Sequence, residues 1–296
     1  MTTTATRDAR GDIVVGIDGS PASDSAVTWA AQEARLQHRG LTLVHAQARL
    51  STNQIAALGT AGIPPQRIDD ETRADAQYTL NRARSDAAAQ MPAREIHTVL
   101  ELGDARDLLL GLAPTASMVV VGSRGHGQVA GLLLGSISGA LVRHSETPVA
   151  VIRPREGSSD GVLVAADGSD ESKEALELAY REASLRHLPV TIVHCLWDGL
   201  AATARWSLVP ETDPEGDDAR VRIAGAIEAM AEKFPDVDVR IAVTRGAIDA
   251  CLVDLSSDYD LLVVGRPPRS LGQRLTFGGL TTSVAEHAHS PVLVVP

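Results

Sequence analysis

Ile13-Val14-Val15-Gly16-Ile17-Asp18-Gly19-Ser20 is the stretch on which the fold turns. Its first five residues form a short apolar run of the kind a buried strand needs, and Asp-Gly-Ser breaks it. Pro21 comes next, a residue suited to the first position of a helix with Ser20 as its cap. Beyond it Ala22, Ala26, Ala30 and Ala34 recur every fourth residue, a small-residue face that can lie close on a sheet. Strand, tight turn and helix together open a βα unit.

This opening occurs twice. At an offset of 149 residues Asp18-Gly19-Ser20 returns as Asp167-Gly168-Ser169, and Ala26, Glu33, His38 and Val44-His45 return as Ala175, Glu182, His187 and Val193-His194. Further along the offset is 143, pairing Gly103 with Gly246, Val120-Val121-Gly122 with Val263-Val264-Gly265, and His144 with His287. The second copy is therefore six residues shorter (149 less 143), the loss falling between positions 195 and 245. Two fused copies of one domain account for this. A length of 296 residues also suits two domains at the usual size of roughly 150. The expected divisions are a flexible N-terminus over 1–11, a first domain over 12–153, a polar linker over 154–160 and a second domain over 161–296.

Working outward from the first strand, Leu41–Ala46, Glu95–Leu102, Met118–Val121 and Pro148–Ile152 read as strands two to five. Helices are expected at Glu71–Gln90, Ala105–Leu112 and Gly135–His144, with Ser51–Asp70, which holds glycines and a proline pair, as a loop. The second copy repeats the strands near Val162–Ala166, Val190–Cys195, Asp238–Thr244, Leu261–Val264 and Val292–Val295. Short apolar strands alternating with helices predict an α/β fold, with a five-stranded parallel sheet per copy covered by helices on both faces.

Composition narrows the chemistry. Hydrophobic residues make up 44% but aromatic ones only 3%, so the core must be built from Val, Leu, Ile and Ala. A net charge of −11 argues against a nucleic-acid partner, because phosphate contact needs a basic face. Met1–Arg10 has no apolar core and no run approaches about 18 apolar residues, so the expectation is a cytoplasmic chain without a membrane segment. Cys195 and Cys251 lack any metal-ligand spacing and read as two reduced thiols, with no structural zinc. Of the 27 Lys and Arg residues only Lys173 and Lys233 are lysines, and neither follows the G-K-[ST] pattern of a phosphate-gripping P-loop.

The candidate site follows strand four. Gly122-Ser123-Arg124-Gly125-His126-Gly127-Gln128 leads on to Gly135-Ser136-Ile137-Ser138, a G-x2-G-x9-G-S pattern. Such a loop lets backbone N–H groups close round an anion, and a helix N-terminus adds further donors and a favourable dipole. Ser136 and Ser138 bring hydroxyl donors to the same place. Asp18, at the end of strand one, is a carboxylate able to accept ribose hydroxyls or help hold Mg²⁺. In open parallel sheets ligands bind beyond the carboxyl ends of the strands, where the strand order reverses. The combination reads as a nucleotide site with phosphates on the glycine loop and the sugar near strand one. The order G-x-x-G-x-G is not the dinucleotide fingerprint. A plainer role stays open, in which the glycines only shape a strand-to-helix turn and Ser136 caps the helix. Arg124 is as well explained by solvation as by phosphate contact, and His126 has no paired acid to make it a general base. His45 and His194 occupy matching strand positions and read as packed or backbone-bonded.

These motifs resemble the tandem bacterial universal stress proteins of the ATP-binding branch, two such domains spanning residues 12–296. The resemblance rests on Val14–Ser20, Val44-His45-Ala46 and the Val120-Val121-Gly122 entry into G-x2-G-x9-G-S. It implies a strand order of 3-2-1-4-5, ATP as ligand, Gly16 and Asp18 flanking the nucleotide, and Ala46 near adenine. It also implies that Gly122–Gln128 and Gly135–Ser138 hold phosphates and ribose, that the domains pair through their last strands, and that such chains often form homodimers with an unknown regulatory partner.

The second copy departs from the pattern. Asp167, Gly265 and Gly278 hold their places, but Ala165 replaces Gly16, Pro268 the middle glycine and Gly279 the final serine. Proline supplies no N–H, so the cradle is damaged there. Arg266, Arg269 and Arg274 offer compensating phosphate contacts or an exposed basic loop. The expected function is ATP binding with a regulatory output, strong in the first domain and weak or absent in the second. A slow Mg-dependent ATPase using Asp18 and a nucleotide-independent scaffold are the alternatives.

Overall fold

The structure is a computed structural model that describes residues 9, 11–125, 134–154, 160–196, 206–266 and 279–296. By contacts the chain separates into two compact units, Met1–Thr147 and Pro148–Pro296.

In the first unit β1 (Ile13–Gly16) leads into α1 (Pro21–Leu36), and β2 (Leu41–Gln47) into α2 (Thr52–Thr60) and α3 (Pro65–Ala88). Next come β3 (Ile96–Leu102), α4 (Ala105–Leu112), β4 (Met118–Gly122) and α5 (Ser136–His144). The strands lie in the order β3-β2-β1-β4, all parallel, with Ile13 level with both Leu41 and Met118. Every residue of β4 and the first three of β1 are buried, as a sheet covered on both faces requires. Helix α1 starts where the sequence places it: the Ser20 side chain accepts from the Ser23 amide, and Pro21 takes the first helical position. Ala26, Ala30 and Ala34 are fully buried, which confirms the small-residue face.

One expectation is corrected. Ser51–Asp70 is not a loop: it contains α2 and the first turns of α3. The Ser51 side chain and Gln54 form a capping box, and Pro65 opens α3. Helix α2 buries no residue, so it carries no apolar stripe for sequence patterning to detect.

The second unit begins with the last strand of the first repeat, β5 (Val149–Ile152), followed by β6 (Val162–Ala165), α6 (Lys173–Arg186) and β7 (Val190–Leu196). Then come β8 (Ser207–Leu208), α7 (Pro214–Lys233), β9 (Val239–Arg245), α8 (Ile248–Leu255), β10 (Leu261–Gly265), α9 (Leu280–His287) and β11 (Val292–Val295). The strands of the second repeat lie as β9-β7-β6-β10-β11, all parallel, a 3-2-1-4-5 succession in their own chain order. Strand β5 adds to β11 antiparallel, Ala150 opposite Leu293, so the last strands of the two repeats are hydrogen-bonded to each other. Arg153, just past β5, donates to the carbonyls of Ala285, Glu286 (2.9 Å) and Ala288 and so closes the C-terminal end of α9. By contacts β5 therefore groups with the second unit, although it is the last strand of the first repeat.

Candidate functional site

Three of the residues singled out in the first unit lie at or beside the carboxyl ends of its strands. Gly16 ends β1, Ala46 lies one residue from the end of β2, and Gly122 ends β4. Since β2 and β4 flank β1 on opposite sides, the crevice above β1 is the point where the strand order reverses.

Asp18 is held in place by its own turn. The Ser20 amide and hydroxyl both donate to Asp18 Oδ1, at 2.9 and 2.6 Å. Its other oxygen faces the glycine loop: a Cβ built on Gly125 would lie 2.2 Å from Asp18 Oδ2. Any side chain at 125 would displace the carboxylate. Gly122 has a different task. A Cβ there would come within 2.7 Å of the Ala22 backbone, so this glycine lets the first turn of α1 lie against β4.

The loop returns onto itself, with the Gly135 amide donating to the Ser123 carbonyl at 2.8 Å. Gly135, not Ser136, is the N-cap of α5, and no side chain caps this helix. The amides of Ser136, Ile137 and Ser138 therefore have no intrahelical acceptor, and the positive end of the helix dipole lies there. Ser136 is exposed and Ser138 buried. The Ser138 hydroxyl donates to the Gly122 carbonyl at 2.8 Å, which corrects its expected role: its proton ties α5 to the end of β4 and is not offered to a ligand. Arg124 is exposed and already engaged in an interaction. His126, Gly127 and Gln128 lie outside the described residues.

His45 and His194 are backbone-bonded, as their matching positions suggested. Their Nδ1 atoms lie 2.8 Å from the Ile17 carbonyl and 3.2 Å from the Ala166 carbonyl. A carbonyl only accepts, so Nδ1 carries the proton in both.

The second unit reproduces the frame loosely. Asp167 accepts from the Ser169 amide at 3.0 Å and from its hydroxyl at 2.6 Å. Burial raises the Asp167 pKa, but the Ser169 hydrogen bonds and a further one from Ser172 outweigh it and hold the group below the usual carboxylate value. Asp170 stands where Pro21 does, and the first turn of the following helix is a 3-10 turn at Asp170–Ser172 with no side-chain cap. Thr281 donates to the Gly265 carbonyl at 3.4 Å, a longer version of the Ser138 tie. Gly279 is the N-cap of α9, which starts one residue later than α5 does relative to the repeat. Ala165 ends β6, and the Arg266 amide donates to the Val295 carbonyl at 2.7 Å. Gly278, Pro268, Arg269 and Arg274 lie outside the described residues.

Cys195 occupies the position that Ala46 holds in the first unit. The two cysteines are free, and Thr244 contacts both of them: Cys251 Sγ lies 3.6 Å from Thr244 Oγ1, and Thr244 also hydrogen-bonds the Cys195 thiol. Burial raises both thiol pKa values, that of Cys251 to about 12. Nothing in the spacing of 195 and 251 signals this neighbourhood, which arises because β7 and β9 pair with Cys195 opposite Thr244. Among the described residues no three His, Cys, Asp or Glu side chains gather as a metal site, and no helix is long and apolar enough to cross a membrane.

Two doubly wound α/β units in tandem, the first with an acidic turn at the point where its strand order reverses, define the fold class. A family model described as the Universal stress protein family matches residues 10–153 and 160–296, and the chain belongs to that family. Universal stress protein Rv2623 of Mycobacterium tuberculosis is 31% identical over 305 residues, covering 95% of both chains. The crystal structure of a universal stress protein from Archaeoglobus fulgidus covers 97% of this chain and 96% of its own at 20% identity, with a TM-score of 0.68, and shares the fold. A universal stress protein solved in complex with cAMP aligns with 49% of this chain and 98% of its own, at 28% identity and a TM-score of 0.34.

Proposed function

We propose that this chain is a cytoplasmic ATP-binding regulatory stress protein whose first unit holds the nucleotide and whose occupancy is read by a homodimeric or regulatory protein partner. The observation that carries the reading is the joining of three anion-competent or sugar-competent elements at one switch point. Asp18 abuts Gly125, the Ser123 carbonyl ties Gly135 at 2.8 Å, and the first turn of α5 that follows is uncapped. In this reading the amides of Ser136, Ile137 and Ser138 and the loop from Gly122 to Gln128 take the phosphates. Asp18 accepts ribose hydroxyls, and Gly16 and Ala46 border the base. Were Mg²⁺ to accompany the phosphates, Asp18 would be the carboxylate at this site to help hold it.

Binding is favoured over turnover. Fast phosphoryl transfer needs preorganised positive charge and a positioned nucleophile, and the chain has no P-loop lysine. The second unit, with Gly279 at the helix cap and Pro268 in its loop, is the weaker site, served at most by Ala165, Asp167, Gly265, Arg266 and Gly278. Nucleotide released on denaturing the purified chain tests this, quantified by mass spectrometry after incubation with ATP and Mg²⁺. One equivalent of ATP per chain is expected. Two equivalents would remove the distinction between the units, and none at millimolar ATP would overturn the reading. Conversion of the bound ATP to ADP, lost in Asp18→Asn while binding persists, would instead establish the slow ATPase.

A further inference from the structure

The two units treat the same sheet edge differently. In the second unit the outer edge of β9 is closed by β8, antiparallel, with Ser207 opposite Arg245 and Leu208 opposite Thr244. The Val209 amide extends the pairing to the Val243 carbonyl at 2.8 Å. In the first unit the corresponding stretch of chain forms α2 instead, and no described segment pairs with the outer edge of β3. An open edge presents unpaired N–H and C=O groups and is a template for another strand.

The polarity of that edge follows from one hydrogen bond. The Gly103 amide donates inward to the Gln47 carbonyl at 3.0 Å. Alternate residues of a strand face the same neighbour, so Thr98, Leu100 and Leu102 direct their amides and carbonyls outward. The sequence Ile96-His97-Thr98-Val99-Leu100-Glu101-Leu102 is self-complementary when turned against itself. Antiparallel pairing about Val99 sets Thr98 opposite Leu100, both outward-facing, so that they exchange backbone hydrogen bonds. It sets His97 opposite Glu101, a ring donor against a carboxylate acceptor, and neither side chain has a partner among the described residues. Leu102, 48% exposed, then lies opposite Ile96. Pairing about Leu100 instead would set Glu101 against Val99 and leave the carboxylate without a donor.

We propose that the β3 edge of the first unit pairs antiparallel with β3 of a second copy of this chain, with the two-fold axis at Val99. The interface is isologous and continues the sheet by strand addition. It does not depend on the nucleotide reading, because no group of the crevice takes part.

Sedimentation equilibrium of the full chain tests it. Wild type should associate reversibly into a two-chain species. Thr98→Pro removes an outward amide while leaving the ladder to β2 intact, and Glu101→Lys sets a cation against His97. Each should weaken association about tenfold or more, the scale of one lost cross-strand pair with its edge hydrogen bonds. Exchanging the pair, His97→Glu with Glu101→His, should restore association. Val99→Cys, oxidised with diamide, should link position 99 of one chain to position 99 of another. A wild type that stays single at its highest soluble concentration overturns the proposal. So does a dimer unaffected by Glu101→Lys, or a Val99→Cys variant that forms no such link.

Discussion

Thr42 donates its hydroxyl proton to Asp12 Oδ2 at 2.7 Å, linking the start of β2 to the residue before β1. The second repeat keeps the threonine as Thr191 but has Gly161 where Asp12 stands, and the buried Thr191 hydroxyl has no partner among the described residues. The same residue type at the same place therefore carries opposite energetic signs. Thr42→Val should lower stability by about 1 kcal/mol, since it strips a donor from the carboxylate; Thr191→Val should be neutral or stabilising by up to about 1 kcal/mol. Urea unfolding of both variants, at constant m-value, checks the pair. Equal losses in the two would show that the hydroxyls are equivalent after all.

That asymmetry marks where sequence reading reaches its limit. The strands were legible because each is a short run of Val, Leu and Ile buried on both faces, and the repeat located them twice. The Asp18 turn and the glycine loop were legible because small and polar residues interrupt those runs at strand ends. What escaped depends on partners distant in the chain. In sequence Ser138 reads as a ligand donor, but its hydroxyl donates to the Gly122 carbonyl, sixteen positions away. Gly122 and Gly125 look alike in sequence, yet one accommodates the α1 backbone and the other the Asp18 carboxylate. Helix α2 escaped because it buries nothing, and β8 because two residues carry no period.

Tyr180 offers a second stability test. It is fully buried on α6, its ring 6.0 Å from that of Phe234, and its hydroxyl has no partner among the described residues. Burial pushes its pKa from 10.0 up to about 12. The neutral form is thus favoured in the folded state. Stability from this term is complete below about pH 10 and is lost as the pH rises towards about 12. Tyr180→Phe removes both the orphan hydroxyl and the titration. It should raise stability at pH 7 by up to about 1 kcal/mol. Its urea midpoint should also fall less steeply than that of wild type between pH 9 and 11. Cys251, raised to about 12 by burial, titrates over the same range in both proteins and cancels in the comparison. A variant less stable at pH 7, with an unchanged alkaline slope, would contradict this account.

The crevice itself is best tested by substitutions that remove a donor without disturbing the fold. Ser136 is the first residue of α5 and follows Gly135, whose φ of −67° and ψ of 156° are the extended values a residue before proline prefers. Ser136→Pro therefore costs the helix no hydrogen bond, yet removes one first-turn amide and one hydroxyl from the anion site. Gly125→Ala acts from the other side, since its methyl would lie 2.2 Å from Asp18 Oδ2 and turn the carboxylate away. Each should weaken ATP binding by about tenfold or more, the loss of roughly one charge-assisted hydrogen bond, with the thermal midpoint unchanged. Gly122→Ala is a poor probe by comparison, because its methyl meets the Ala22 backbone at 2.7 Å and α1 must shift. It should lose stability first, and any loss of binding would follow from that. Calorimetric titration of the three variants separates these causes. Undiminished affinity in both Ser136→Pro and Gly125→Ala would leave the glycine loop with no role beyond shaping the turn from β4 to α5.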